Sequence, residues 1–247
     1  MKLLSILLIV TAGAFAQTTP PAPAKKAATA PATTAAPAKK EEPPTPDRPP
    51  GLYWIINTSM GTITAQLYEK EAPGTVANFV ALTRGTRAAK DKAGAMTKRP
   101  YFANLTFHRV IPGFMIQTGD GQRGDGSGDC GFTIKDEIDP SLKYDKPGVL
   151  GLARLEARNT GACQFFITDK AYPSLSGQYT IFGQVIEGQD VVGKIAAVPR
   201  DSGDKPRTPV KLISATIKRY GPPPAAPAAP AKKAPAPAAK KAVTPAK

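Results

Sequence analysis

Phe107-His108-Arg109-Val110-Ile111-Pro112-Gly113-Phe114-Met115-Ile116-Gln117-Thr118-Gly119-Asp120 is the stretch from which the rest of the 247-residue chain is read. It holds the end of one β-rich run, 105–110, and the whole of another, 114–118. Both are short, rich in β-branched and aromatic residues, and separated by turn-forming residues. Gln117 lies eight residues beyond Arg109, on the strand expected to lie alongside. His108 precedes the arginine, so strand alternation sends its side chain to the opposite face, and it reads as structural.

Outward from this stretch the pattern stays mainly β. The runs 52–58 and 61–68 are joined by Ser59-Met60-Gly61, a hairpin turn. Ile63, Ala65 and Leu67 alternate with Thr62, Thr64 and Gln66, so one face of that run is buried. The spacing changes to helical at 73–82, where Val76, Phe79, Val80 and Thr83 share a face. Pro73 suits the first turn and Gly85 the stop. Residues 86–100 are basic and contain Gly and Ala, as a surface loop does. Further strands are predicted at 148–153, 164–168, 180–186 and 210–220, and a second helix at 190–197 with Val191, Val192 and Ile195 inward. Eight short strands and two helices in about 170 residues argue for a closed antiparallel barrel rather than an α/β sheet. The pattern by itself leaves barrel and sandwich open.

The chain carries a formal net charge of +14, 27 prolines, two cysteines and one histidine. Ten prolines fall in 17–50 and eight in 221–247, so the folded body is confined to 51–220, long enough for one well-buried core. That body has 22 Lys and Arg against 16 Asp and Glu, and is only mildly basic. Such a composition excludes a disulfide-dense scaffold, a multi-span membrane protein and a four-ligand Cys/His zinc site. Residues 1–16 read as a secretory leader: Lys2, then the apolar run from Leu3 to Val10, then Ala14-Phe15-Ala16 as the cleavage signal. The Ala/Pro/Lys segments 17–50 and 221–247 offer little apolar area and cannot sustain helix or ladder, so both are predicted to be disordered tethers. Their paired lysines (Lys25-Lys26, Lys39-Lys40, Lys232-Lys233, Lys240-Lys241) suit anionic envelope polymers or lipid head groups; a solubilising spacer is the alternative. Without interleaved aromatics they are a poor nucleic-acid signature, and no nucleic-acid partner is expected. Nothing points beyond a monomer.

The opening stretch closely resembles the signature of the cyclophilins, the peptidyl-prolyl cis/trans isomerases, and in particular their exported bacterial members. The resemblance continues through Gly148-Val149-Leu150-Gly151-Leu152-Ala153-Arg154, Gln164-Phe165-Phe166-Ile167-Thr168 and Tyr179-Thr180-Ile181-Phe182-Gly183-Gln184-Val185. It spans nearly all of 51–220 in the family's order. It implies an eight-stranded closed barrel capped by two helices, acting on proline-containing polypeptides. By the resemblance, Phe114, Met115, Phe166 and Leu175 form the proline pocket, with Tyr179 where eukaryotic members often carry histidine. The backbone at Ala153-Arg154, and Gln164, match the groove for residues before proline. The large aromatic expected before Leu175 is replaced by Pro173-Ser174, which implies weak cyclosporin binding. The segments around Cys130 and Cys163 match two elements that meet beside that groove, which leaves two readings open, a disulfide between them or two buried free thiols.

The chemistry is consistent with these residues. Rotation about an Xaa-Pro bond faces a barrier of roughly 18–20 kcal/mol set by amide resonance, and no covalent bond changes. Neither nucleophile, metal nor cofactor is required. A catalyst needs an apolar seat for the ring and a fixed cationic donor beside the prolyl nitrogen, whose lone pair localises as the amide twists. Arg109 supplies that donor through its rigid fork of N–H groups, and Gln117 orients it or binds substrate backbone. The expected function is therefore an extracytoplasmic (periplasmic or secreted) prolyl isomerase acting on exported proteins. The alternative is a non-catalytic proline-peptide binding module or envelope chaperone, which has no need of the arginine.

Overall fold

The computed structural model describes residues 48–222. The predicted leader at 1–16, nearly all of 17–50 and nearly all of 221–247 lie outside the described residues. The described chain forms eleven strands and two α-helices. In order these are β1 (Gly51–Thr58), β2 (Gly61–Leu67), α1 (Pro73–Arg84), β3 (Ala89–Lys90), β4 (Met96–Thr97), β5 (Leu105–Thr106), β6 (Arg109–Ile111), β7 (Met115–Thr118), β8 (Val149–Leu152), β9 (Phe165–Thr168), β10 (Ile181–Glu187), α2 (Gln189–Ala196) and β11 (Lys211–Tyr220). A single 3-10 turn, Pro173–Leu175, precedes β10.

Nine strands form one antiparallel sheet in the order β5-β11-β1-β2-β10-β8-β9-β7-β6. Eight strands in a closed barrel were expected. The ladder counts nine because the run 105–110 is interrupted at Phe107-His108. Phe107 N donates to Val210 O at 3.0 Å on one side, and His108 N to Gln117 O at 3.2 Å on the other. This change of partner makes β5 and β6 the two ends of an unclosed ladder. Three residue steps span at most about 11 Å, whereas nine flat strands would separate those ends by roughly 38 Å. The sheet is accordingly curled. The predicted loop at 86–100 also holds a small ribbon, β3 paired with β4.

The curl encloses an aromatic core centred on Trp54 of β1, which is fully buried. Phe79 of α1, Phe102 and Phe165 of β9 lie 4.7–5.4 Å from it, centroid to centroid. Helix α1 buries Val76, Phe79, Leu82 and Thr83, close to the predicted face, and ends on Gly85 in the left-handed region. Its first two free N–H groups, Gly74 and Thr75, donate to the Glu137 carboxylate at 2.9 and 2.7 Å. An anion there satisfies the exposed donors and the helix dipole together. Helix α2 buries Val191, Val192 and Ile195 as its spacing predicts, and packs against β2, β6 and β7. No helix among the described residues is long and apolar enough to cross a membrane.

Candidate active site

Strand alternation sorts β6 to β9 into two faces. Val110, Ile116, Leu150, Phe165 and Ile167 enter the main core, while Met115, Val149 and Phe166 belong to a second, smaller apolar cluster on the outer face. Register then aligns the outer residues. Arg109 is opposite Gln117, Gln117 opposite Phe166, and Phe166 opposite Gly151. One row across four strands thus runs from a cation through an amide to an aromatic floor and a gap. The gap is required: a Cβ on Gly151 would collide with the Phe166 ring and the Tyr144 hydroxyl.

The segment from Tyr172 to Tyr179 covers this face incompletely and leaves a cavity of about 120 Å³. Its lining is Arg109, Phe114, Met115, Gln117, Ala153, Arg154, Phe166, Leu175 and Tyr179. Met115 and Phe166 are buried and form the floor. Phe114 is half-buried against Tyr172, 4.4 Å between centroids, and Tyr179 meets Phe166 edge-on at 5.8 Å. The Arg109 side chain is 45 % exposed, at the rim of this apolar seat. The hairpin that carries it turns through Pro112-Gly113. Gly113 has φ +76°, and its N–H donates to Asp169 Oδ2 at 2.7 Å.

A second cavity, about 250 Å³, adjoins the first through Gln117, Ala153 and Arg154 and reaches Gly126–Cys130 and Thr160–Gln164. Gln164 lies in this part and not in the apolar seat. Both hydrogens of its amide are used, by Gly126 O at 2.9 Å and Gly128 O at 3.0 Å, and its Oε1 accepts from Gln117 Nε2 at 3.1 Å. Gln164 therefore ties the glycine-rich loop to the sheet and offers a peptide little beyond one lone pair. No side-chain hydrogen bond joins Gln117 to Arg109 among the described residues. The Ala153 N–H is likewise used, by Gln164 O at 3.0 Å.

Cys130 and Cys163 are joined in a disulfide, Cα atoms 6.3 Å apart, in the wall of this second cavity. The Arg154 guanidinium lies 4.7 Å over the Tyr179 ring. It donates to Leu155 O at 2.8 Å, Glu156 O at 2.6 Å and Gln178 O at 2.9 Å. Its Nε is 3.5 Å from the buried Asp136 carboxylate. Arg154 thus fixes Tyr179 in place through its side chain, a role beyond the backbone contribution expected of it.

Three aspartates escaped the sequence reading. Asp120 accepts from the backbone N–H groups of Gln122, Arg123, Asp125, Gly126 and Gly128 at 2.8–3.2 Å. Burial by itself raises its pKa, but these donors outweigh burial and hold the carboxyl below the usual range. Asp136 faces both Arg154 and Arg158. Asp204 faces Arg109. The sequence cue for Asp120 is the run of glycines after it, since Gly-rich turns supply convergent amides; the other two have none. His108 is buried under Gly126, burial pushes its pKa down, and neither ring nitrogen has a partner among the described residues. No cluster of metal-ligating residues occurs among the described residues.

Comparison with known proteins agrees with this geometry. The family described as "Cyclophilin type peptidyl-prolyl cis-trans isomerase/CLD" matches residues 53–217. Peptidyl-prolyl cis-trans isomerase-like 1 of Aspergillus fumigatus is 40 % identical over 169 residues, covering 68 % of this chain and 96 % of that protein. Peptidyl-prolyl cis-trans isomerase A of Mycobacterium tuberculosis is 42 % identical over 165 residues, 66 % of this chain and 90 % of its own length. Among solved structures, a Cryptosporidium parvum cyclophilin-type peptidyl-prolyl cis-trans isomerase, crystallised in the presence of the dipeptide Ala-Pro, superposes with a TM-score of 0.59 at 32 % identity. That match covers 68 % of this chain and 99 % of the other.

Proposed function

The chain belongs to the cyclophilin-type peptidyl-prolyl cis-trans isomerases, and on that premise we propose how its own residues accelerate Xaa-Pro rotation. The prolyl ring enters the 120 Å³ seat against Met115, Phe166 and Leu175, with Phe114 and Tyr179 as walls. The preceding residues run along the adjoining cavity past Gln117 and Ala153. The substrate class follows from the size of the seat and from the Ala-Pro dipeptide used with the Cryptosporidium protein. As the amide twists, resonance is lost and the lone pair returns to the prolyl nitrogen. Arg109 at the rim then meets a better acceptor than the planar amide offered, and this difference lowers the barrier.

The observation that carries this reading is the single cross-strand row in which the guanidinium, the Gln117 amide and the Phe166 floor stand side by side. A module that only bound proline would need the floor and not the cation. The test is isomerisation of a short Xaa-Pro peptide by the parent and by Arg109→Ala. A loss of at least tenfold, about 1.4 kcal/mol of barrier, is expected; equal rates refute the role given to Arg109.

We further infer that the enzyme works outside the cytoplasm, on exported proteins. The leader-like residues 1–16 and the Cys130–Cys163 disulfide support this, because disulfides persist in oxidising compartments. Mature protein that retained Lys2 and stayed with the cytoplasmic fraction would sink this inference. Pro173-Ser174 immediately before Leu175, in place of a large aromatic, supports weak cyclosporin binding. The lysine pairs of the flanking segments support loose attachment to anionic envelope polymers or lipid head groups.

A further inference from the structure

Arg109 can act on a twisted amide only if its guanidinium is already aimed, and no side-chain hydrogen bond from it to Gln117 is present among the described residues, the Gln117 amide being turned to Gln164. Its charged neighbour is Asp204, whose Oδ2 lies 3.6 Å from Arg109 Nε. We propose that Asp204 is a positioning residue for isomerisation, holding the Nε edge of Arg109 so that the two Nη groups remain for substrate. The inference rests on the role given to Arg109 above.

The loop around Asp204 is built to hold that carboxylate still. Asp201 Oδ1 accepts from Gly203 N and Lys205 N, both at 2.9 Å. Asp204 N donates to Asp201 O at 3.2 Å, and Asp201 N to Lys205 O at 2.9 Å. Arg200 pairs with Pro206 across the base of the loop, and Arg200 Nε donates to Asp204 Oδ1 at 3.0 Å. One carboxylate oxygen is therefore anchored by Arg200 while the other faces Arg109. The backbone is tied at the same place: Val110 N, next to the arginine, donates to Asp204 O at 2.8 Å. The shortest approach of Asp204 to Arg109 is at Nε, 3.6 Å from Oδ2, and Arg109 also lines the proline seat.

Asp204 has φ +64°, in the left-handed region, which Asp and Asn enter more readily than other residues with a Cβ. Its ion pair with Arg109 is too solvent-exposed, at 45 % and 30 %, to contribute much stability. A pair that adds little stability is more readily explained by what it orients than by what it stabilises. The conformation also selects the variants. Asn tolerates this φ and keeps the shape while removing the charge; Gly relieves the φ and removes the side chain.

The experiment measures kcat and KM on an Xaa-Pro peptide for full-length Asp204→Asn and Asp204→Gly, each alone and combined with Arg109→Ala. Expected is a five- to tenfold fall in kcat for each single variant, KM within twofold of the parent, and melting temperatures close to it. In the Arg109→Ala background the same changes should add less than 1.5-fold, because a residue acting through the arginine has nothing left to orient. Parental kcat in both single variants would overturn the proposal. So would an equal loss in the two backgrounds, which would show that Asp204 acts independently of Arg109. Failure of the arginine's own role is read separately, from Arg109→Ala alone.

Discussion

Removing the Cys130–Cys163 cross-link should unfold the domain far more readily while leaving turnover almost untouched. The two cysteines are 33 residues apart in sequence. The chain-entropy relation for a loop of that length gives about 12.5 cal/mol/K, or about 3.7 kcal/mol at 25 °C. A domain of roughly 175 residues unfolds with about 0.37 kcal/mol/K of entropy at its midpoint, so the expected drop in Tm is about 10 °C. Activity should survive because the groove wall has other ties. Gln164 holds Gly126 O and Gly128 O, Asp120 gathers five amides of the same loop, and Lys90 N donates to Cys130 O. The assay is calorimetry of the parent and of Cys130→Ala/Cys163→Ala, with kcat/KM measured well below both transitions. A Tm loss under about 3 °C would refute the entropic argument. A drop in kcat/KM beyond tenfold in the folded variant would refute the claim that the loop is held redundantly.

Two further perturbations test the site. Asp120→Asn removes a charge that five N–H groups converge upon and should cost about 2–3 kcal/mol at pH 7; because the folded carboxyl titrates below its unfolded value of roughly 3.9, that contribution is complete above pH 4 and is lost as pH falls through the folded pKa, so denaturant titrations of parent and variant should converge only in acid, and a gap unchanged at pH 2 would contradict the assignment. Gly151→Ala puts a Cβ against the Phe166 ring and the Tyr144 hydroxyl; overpacking of this kind costs about 1–3 kcal/mol and should push Phe166 into the proline seat, raising KM for an Xaa-Pro peptide at least fivefold, whereas an unchanged KM would mean that Phe166 is not the floor.

The strands and helices were legible where side-chain periodicity reports burial directly. Ile63, Ala65 and Leu67 alternate because one face of β2 meets the core; Val191, Val192 and Ile195 recur at helical spacing for the same reason. The run 105–110 misled because its break lies in a change of hydrogen-bonding partner, from Val210 to Gln117, and periodicity carries no information about partners. The β3–β4 ribbon is two residues long on each side, too short for any period. Arg109, Met115 and Phe166 became candidates through the family resemblance. From residue types alone an outer-face phenylalanine under a covering segment looks the same as one in the core.

The aspartates show where the remaining information resides. Asp204 is far from Arg109 in sequence, Asp136 far from Arg154, and Asp169 far from Gly113, yet each pair meets beside the groove. With Asp120 under the glycine-rich loop, four carboxylates immobilise the four edges of the site: the catalytic candidate, the wall bearing Tyr179, the hairpin turn and the loop lining the second cavity. None lines the apolar proline seat itself. This division has a physical logic for a reaction that changes no covalent bond. A carboxylate inside the seat would compete with the prolyl nitrogen for the guanidinium, whereas one behind each edge restricts motion without meeting the substrate. Rate then depends on how little the cation must reorganise when the amide twists, so kcat should respond to these remote acids more strongly than KM, and the two should part most clearly at Asp204, the acid that faces Arg109.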